Sequence, residues 1–176
     1  MSVTINFLTE MPEWDELLKA HKKLWKNMAV AALKHAPIDL PAILPDISIN
    51  VLLGDDEIIH KLNREYRESD KPTNVLSFPQ IEEWDDSLED LAEESEATGE
   101  PAELGDIIMA YGVIARESAD QGKLIHHHIG HLLVHGVLHL LGYDHLTAEE
   151  ETAMERLETD ILAAHHLPDP YQDIVN

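Results

Sequence analysis

The sequence contains no cysteine among its 176 residues. Disulfides and thiolate metal sites are therefore excluded, and any metal ion must be held by histidine, aspartate or glutamate. No apolar run approaches the roughly 20 residues that a transmembrane helix needs. The first residues, MSVTINFLTEMPEWDE, lack the basic and apolar regions of a signal peptide. We expect a soluble, unprocessed, cytoplasmic protein that has no membrane partner.

Basic residues are scarce, since 12 Lys and Arg stand against 35 Asp and Glu and give a formal net charge of -23. Such a charge repels polyanions and argues against broad, sequence-blind binding of nucleic acid over the whole surface. No Lys or Arg occurs between Lys71 and Arg116, an interval in which residues 81–103 are dense in acidic side chains. We expect these residues to form an acidic surface loop.

The length and the 44% hydrophobic content suit a single domain that spans residues 1–176. Alternating or short apolar runs predict strands in VTINF, ISINVLL, VLSF and LGDIIMA, with the last two paired antiparallel. Helical spacing predicts helices at residues 14–35, from residue 55 onward, at residues 113–120, around residues 124–141 and at residues 147–164. In the helix from residue 55, we expect four residues to face inward: Ile58, Ile59, Leu62 and Tyr66. The predicted fold class is α/β (α+β), a small mixed sheet of about four strands packed with helices.

One histidine-rich stretch, HLLVHGVLHLLGYDH, covers residues 131–145. His135 and His139 stand four apart, so their imidazoles lie on one face of a helix, one turn apart. Gly142 is the residue type that ends a helix in the left-handed conformation, and the turn lets His145 return to the same point. Three imidazoles leave one position of a tetrahedral zinc ion free for water, as in catalytic sites. We predict one zinc ion per chain, at the end of a central helix and its following turn.

The same four-residue spacing also includes His127 and His131, so more than one pair is a candidate for binding metal. Gly142 selects the last pair, because only that pair precedes the turn by a distance that lets a third histidine return to it. We expect His127 and His131 to line the approach to the metal or to be solvated, and His131 is a candidate substrate-binding residue. The alternative is a set of unliganded surface histidines, which would require several independent features to coincide.

Four basic residues follow one another at spacings of three, three and four in and after the helix predicted from residue 55: Lys61, Arg64, Arg67 and Lys71. If the helix extends far enough they form one rough column, for which a solvated helix face is the simpler interpretation. The next segment, DKPTNVLSFP, is a turn and a strand, so Arg67 lies near a helix end beside a sheet edge. Arginine offers a planar fork of donors suited to phosphate. We predict that Arg67 is catalytic and that Lys61, Arg64 and Lys71 bind the substrate.

The order HxxxHxxGxxH matches a zinc-peptidase pattern, HExxHxxGxxH, in which the glutamate is the general base on the metal-bound water. Gly136 takes the place of that glutamate here, which argues against proteolysis by that route. A phosphodiester instead needs charge stabilisation on its oxygens, which a metal ion and an arginine supply. A metallopeptidase-like zinc hydrolase stays an alternative, with a base supplied by another carboxylate such as Asp144.

Three stretches of the sequence resemble the YbeY family, which comprises single-domain, metal-dependent endoribonucleases implicated in ribosomal RNA maturation and ribosome quality control. HGVLHLLGYDH (residues 135–145) resembles the family signature, LNREYRESDKPTNVLSFP (residues 62–79) resembles its LNxxYRxxDxPTDVLSFP, and LGDII (residues 104–108) resembles its LGDI strand. The resemblance covers most of residues 47–165. Two departures are Asn74, where the family usually has aspartate, and the long acidic stretch before Leu104.

The resemblance implies an α/β sandwich with metal-binding histidines at His135, His139 and His145 and a functionally important arginine at Arg67. It also implies a metal-dependent endoribonuclease, with ribosomal RNA as substrate and the ribosome or its proteins as partners. Together with the zinc site predicted from the histidines, this leads us to expect a zinc endoribonuclease that cleaves single-stranded RNA. An alternative of another class is a non-catalytic ribosome-binding factor in which zinc only stabilises the fold.

Overall fold

The computed structural model describes residues 2–82 and 87–172, and within these ranges a four-stranded sheet is packed with helices. The strands are β1 (Ser2–Leu8), β2 (Asp46–Gly54), β3 (Val75–Pro79) and β4 (Ala102–Ala110). The helices are α1 (Pro12–Leu33), α2 (Leu40–Ile43), α3 (Asp56–Arg67), α4 (Ser87–Thr98), α5 (Tyr111–Asp120), α6 (Ile125–Leu140) and α7 (Ala148–Ala164). The predicted α/β class with about four strands is confirmed.

The sheet is mixed, with the strand order β1-β2-β4-β3. β1 pairs with β2 and β2 with β4 in parallel, whereas β3 pairs with β4 antiparallel, as predicted. The central strand β4 is buried on both faces, with Ile107 and Met109 on one face and Ile108 on the other. The register places Ser77 of the edge strand β3 opposite Ile107, and this pair faces the helix that carries the histidines.

Helix α6 is the central helix and contacts α1, α5, α7 and the strands β3 and β4. Its burial is almost continuous from His128 to Leu138, so it lies inside the molecule and not on its surface. Gly130 lies against α1, where an added Cβ would lie 3.0 Å from Cε at the flexible end of Met28. Trp25 of α1 donates from Nε1 to the carbonyl of His126 at 3.1 Å. Both contacts hold the histidine helix against α1.

The acidic segment at residues 81–103 is not a loop throughout, because α4 occupies Ser87–Thr98. Three of its residues share a helical spacing of three and four and pack toward the core, namely Leu88, Leu91 and Ala92. This short apolar stripe is hidden among carboxylates in the sequence, so composition alone favoured a loop. Residues 83–86 of the predicted loop lie outside the described residues.

Helix α3 packs on the face of the sheet opposite α6, and fewer of its apolar residues are buried than the sequence predicted. Ile59 is buried and Leu62 packs beside it, but Ile58 is 42% exposed and Tyr66 is 61% exposed, so the prediction that these two face inward is wrong. The helix begins after Asp55, whose side chain accepts from the Ile58 amide at 2.9 Å. It ends at Arg67, so Lys71 lies beyond the helix and is not part of a helical column.

No helix within residues 2–82 and 87–172 combines the length and apolar character that a membrane span requires.

Candidate metal centre

His135 and His139 lie one turn apart at the C-terminal end of α6, where both side chains are half-buried. Their ring centroids are 4.4 Å apart, and their Nε2 atoms face each other at 2.9 Å. The four-residue spacing on a helix accounts for this arrangement, because side chains at i and i+4 project from the same face.

The turn after α6 brings the third histidine to this pair. Gly142 has a φ of 94°, and its amide donates to the His139 carbonyl at 3.0 Å. The amide of Tyr143 donates to the Leu138 carbonyl at 3.1 Å, which closes the helix end. The ring of His145 then lies 5.1 Å from that of His139 and 5.8 Å from that of His135. One ligand atom from each histidine lies within 4.8 Å of the other two, so the three can hold a metal ion.

Hydrogen bonds fix the tautomers of the two helical histidines. His139 Nδ1 lies 2.8 Å from the Tyr143 carbonyl oxygen, which only accepts, so this nitrogen carries the proton and donates. His135 Nδ1 donates in the same way to the carboxylate of Glu158. Both Nε2 atoms are left as acceptors, and two acceptors cannot hydrogen-bond with each other. A metal cation satisfies both lone pairs at once, so the donor set of this site fits a metal ion.

The charge state of His139 suits the same role. Burial and, to a lesser extent, the neighbouring His135 lower the pKa of His139 to about 4. The hydrogen bond to the carbonyl of Tyr143 raises the pKa, but its effect is smaller. The imidazole is therefore neutral near pH 7, and only neutral imidazole offers a lone pair to a cation.

Arg67 lines the same cleft as the three histidines. The cleft has a volume of about 710 Å³, and its walls come from the end of α3, from β3 and from the turn after α6. The Arg67 guanidinium donates from Nη2 to the carbonyl of Ser77 at 2.8 Å and lies 5.2 Å from the centroid of the Phe78 ring. A hydrogen bond and a cation–π contact thus hold this cationic group in the wall of the histidine cleft.

Gly136 lies where α6 crosses the sheet, and there is little space beside it. A Cβ added there would lie 3.1 Å from both Cδ1 and Cγ2 of Ile107 and 3.2 Å from Oγ of Ser77. Ser77 Oγ also donates to the Gly136 carbonyl at 3.1 Å. A glutamate at this position would therefore displace the sheet, and the peptidase arrangement is incompatible with this packing.

The remaining predicted basic residues do not line the cleft. Lys61, Arg64 and Lys71 are exposed, and none is among the residues of the cleft wall. Their positions on and after α3 leave them as neighbours of Arg67 on the outer surface.

His131 is the clearest correction among the predicted site residues. It was expected to line the approach to the metal or to be solvated, but it is only 8% exposed. Its Nε2 lies 3.2 Å from the Tyr171 hydroxyl and 3.4 Å from Glu158 Oε2, behind the metal triad and away from the cleft. The physical reason is that α6 is buried on almost all sides, so the residue one turn before His135 meets α7 and not solvent.

Asn74 lies in the cleft wall and donates from Nδ2 to Glu117 Oε1 at 3.0 Å. An aspartate at this position would place a second carboxylate against Glu117, which is unfavourable without a proton or cation between them. The amide is therefore compatible with its neighbour in this chain.

Two residues of the site were missed by reasoning from the sequence. Glu158 is fully buried and contacts His135, yet it lies in an acidic helix where a solvated carboxylate is the normal expectation. Ser77, whose carbonyl accepts from Arg67 and whose hydroxyl donates to α6, lies in a strand predicted only for its apolar content. In the sequence, only the helical spacing of Glu158 from the buried Met154 and Ile161 hinted at an inward position.

Most of the chain matches one family of known proteins. A family model described as Endoribonuclease YbeY matches residues 12–166. The chain is 42% identical to the Endoribonuclease YbeY of Paramagnetospirillum magneticum over 173 residues, 97% of this chain and 98% of the relative. It is 46% identical to that of Rhizorhabdus wittichii over 84% of this chain and 87% of the relative, and 49% identical to that of Magnetococcus marinus over 73% and 85%. With these matches over most of its length, the chain belongs to the YbeY family.

Proposed function

We propose that this protein is a zinc-dependent endoribonuclease that cleaves single-stranded RNA in ribosomal RNA maturation and ribosome quality control. Membership of a family whose relatives are named endoribonucleases supports RNA as the substrate and a phosphodiester as the bond that is hydrolysed. The proposed role in ribosomal RNA maturation and ribosome quality control rests on the resemblance to the family. The observation that carries the proposal is the meeting of three histidines and Arg67 in one cleft.

His135, His139 and His145 are the proposed ligands of a single zinc ion. A zinc ion held there would supply Lewis-acid stabilisation of a phosphate oxygen and would lower the pKa of a water molecule toward about 7. The neutral state of His139 and the acceptor tautomers of the two helical histidines support this role. The exposure of His145 leaves one side of the site open to a substrate from the cleft.

Arg67 is the proposed phosphate-binding residue. A guanidinium has five N–H donors, and the bond to the Ser77 carbonyl uses one of them. The remaining donors are available to two phosphate oxygens, and the stacking on Phe78 limits the positions that the group can adopt. Arg67 therefore supplies a fixed positive charge to a phosphodiester held beside the three histidines. Lys61, Arg64 and Lys71 are the proposed guides for the rest of the strand.

Exposed aromatic side chains beside Arg67 support the preference for single strands. Tyr66 is 61% exposed, and its ring lies edge-to-face 5.5 Å from that of Phe78. Both rings line a groove of about 580 Å³ between α3 and the sheet. Unpaired bases gain free energy by stacking on such rings, whereas bases in a duplex are already stacked on each other. Because Arg67 contacts Phe78 and also lines the cleft, one strand can occupy both.

The proposal is tested with a labelled RNA that joins a stable hairpin stem to a single-stranded tail. The protein is stripped with a chelator, dialysed and reloaded separately with Zn²⁺, Mn²⁺ or Mg²⁺. We expect no cleavage by the stripped protein, recovery with Zn²⁺, and cuts confined to the tail and the hairpin loop. Recovery only with another metal contradicts zinc dependence, and cuts within the stem contradict single-strand preference.

Other outcomes of the same preparation favour the alternatives. Chelator-sensitive hydrolysis of casein, without cleavage of RNA, would favour a metallopeptidase-like hydrolase. A metal-loaded protein that cuts no RNA and unfolds on metal removal would favour a zinc-stabilised binding factor. The ribosomal role is tested by incubating the loaded protein with ribosomal particles that carry immature RNA ends, and unchanged ends after sequencing contradict it.

A further inference from the structure

Glu158 lies on α7 and is 0% exposed, which is unusual for a carboxylate. Both of its oxygens have polar neighbours. Oε1 accepts from Nδ1 of His135, while Oε2 accepts from the hydroxyl of Tyr171 and lies 3.4 Å from Nε2 of His131. The carboxylate thus stands directly behind a candidate metal ligand, on the side opposite the cleft.

Glu158 accepts a hydrogen bond at each oxygen, from Nδ1 of His135 and from the hydroxyl of Tyr171, so the group is a carboxylate and not a carboxylic acid. A buried ionised group surrounded by partners contributes little to stability compared with a well-packed apolar residue. Stability alone therefore gives no reason for a carboxylate here, whereas the contact with His135 does.

We propose that Glu158 is the positioning residue for the metal ligand His135, and that Tyr171 holds Glu158 in place for this role. This inference rests on the proposal that the three histidines bind the metal ion. A carboxylate behind a ligand histidine fixes the proton on Nδ1, sets the angle of the ring and makes Nε2 a stronger donor to the metal. His139 has only the neutral carbonyl of Tyr143 in the equivalent position, so His135 is the ligand with the stronger support.

Tyr171 connects the end of the chain to the metal centre. Its hydroxyl donates to the carboxylate of Glu158, because a carboxylate only accepts hydrogen bonds. The segment that carries it is held against the loop before α6, since Nζ of Lys123 donates to the carbonyl of Pro170 at 2.6 Å. Residues far beyond His145 in the sequence thus determine how the metal ligands are oriented.

The test compares Glu158→Gln and Tyr171→Phe with Asp160→Asn, which removes an exposed carboxylate from the same helix. Zinc affinity is measured by competition with a chromophoric chelator. We expect Glu158→Gln to weaken zinc binding by about 10- to 100-fold, because that is the typical effect of losing such a partner. Tyr171→Phe is expected to weaken it by a smaller factor, and Asp160→Asn is expected to leave it unchanged.

A spectroscopic readout separates positioning from a general loss of structure. Nitrogen-15 spectra of the imidazoles in the metal-free protein report which ring nitrogen carries the proton. We expect His135 to be protonated at Nδ1 in the wild type and to become a mixture of tautomers in Glu158→Gln. His139 should keep its tautomer in both proteins, because its partner is the unchanged carbonyl of Tyr143.

An unchanged zinc affinity together with an unchanged His135 tautomer in folded Glu158→Gln overturns the inference. If Glu158→Gln does not fold, Tyr171→Phe is used in its place. Wild-type zinc affinity and a wild-type His135 tautomer in Tyr171→Phe then overturn the inference. A wild type that binds zinc tightly but cuts no RNA contradicts the proposed function and leaves the role of Glu158 intact. A wild type that binds no metal at the three histidines overturns both.

Discussion

The Nε2 atoms of His135 and His139 lie 2.9 Å apart, and each ring has its Nδ1 proton bound by an acceptor behind it. The two lone pairs would repel each other without a positive charge nearby. A cation is therefore the natural partner of this pair, and His145 is placed to be its third ligand. The proposed site accordingly comprises three metal ligands, a phosphate-binding arginine and the residues packed behind them, and each part can be tested.

Replacing His139 should remove metal and activity together. The variant His139→Ala loses one of three donors, so we expect zinc to be released by dialysis and RNA cleavage to fall to background. Zinc content is measured by atomic emission and cleavage on the single-stranded tail substrate. His127→Ala is the matched control, because His127 lies on the same helix but outside the triad. Equal cleavage by wild type and His139→Ala would instead indicate a contaminating nuclease.

Replacing Arg67 should separate catalysis from metal binding. We expect Arg67→Ala to retain wild-type zinc content and to lower kcat for RNA by on the order of 10²-fold, the usual effect of removing one group that stabilises charge in the transition state. Arg67→Lys should recover only part of this loss, because an ammonium lacks the planar fork. Arg156→Ala is the control, since Arg156 is an exposed arginine on α7 that lies outside the cleft wall. A fall in zinc content in Arg67→Ala would contradict the assigned role.

Removing the exposed ring of Tyr66 should weaken binding of single-stranded RNA. Stacking on an aromatic side chain contributes about 1–3 kcal/mol per base, so we expect Tyr66→Ala to raise KM by roughly 5-fold or more. Tyr66→Phe keeps the ring and should behave like the wild type. The measurement is the KM of the zinc-loaded protein on a short unpaired RNA. An equal rise in KM for both variants would show that the hydroxyl, and not stacking, matters.

Adding a side chain at Gly136 should destabilise the fold without creating a peptidase. We expect Gly136→Ala to lower the free energy of unfolding by about 1–3 kcal/mol, because overpacking against Ile107 outweighs the gain in helix propensity. Gly136→Glu should be worse and should not hydrolyse casein. Gly130→Ala is the control on the same helix, since its nearest neighbour is the flexible end of Met28. Urea unfolding measures the free energy of unfolding of the three variants. A Gly136→Glu variant as stable as the wild type would contradict the prediction.

The buried His128 should make the metal-free protein less stable at mildly acidic pH. Burial lowers the pKa of His128, and this outweighs the hydrogen bond and charge of Glu117, which raise it. Below about pH 6.5 the unfolded chain then binds a proton that the folded chain does not, so stability falls as pH falls through this range. Each pH unit over which the difference is one full proton costs about 1.4 kcal/mol.

The contribution of His128 is isolated by comparing wild type with His128→Gln, which keeps a donor for Glu117 but does not titrate. Urea unfolding is measured without metal from pH 8 to pH 5.5. We expect the wild type to lose more stability than the variant over this range, while the other histidines contribute equally to both. Parallel curves for the two proteins would show that His128 titrates alike in the folded and unfolded chains.

Features that depend on neighbours in the chain could be predicted from the amino-acid sequence. The spacing of His135 and His139 and the turn at Gly142 are local geometry, so the three histidines were predicted to meet and the structure brings them together. The strands and most helices were also predicted, because alternating and helical apolar patterns are short-range signals. The family resemblance rested on the same local motifs.

The contacts and the burial of the residues around those motifs depend on the tertiary structure. Glu158 became the partner of His135 only because α7 packs on α6, and His131 was buried by the same contact. The acidic segment became helical because three apolar residues reach the core, and Tyr66 was left exposed because α3 meets the sheet along a narrow stripe. These outcomes depend on contacts between residues distant in the chain, where burial and packing override composition and propensity.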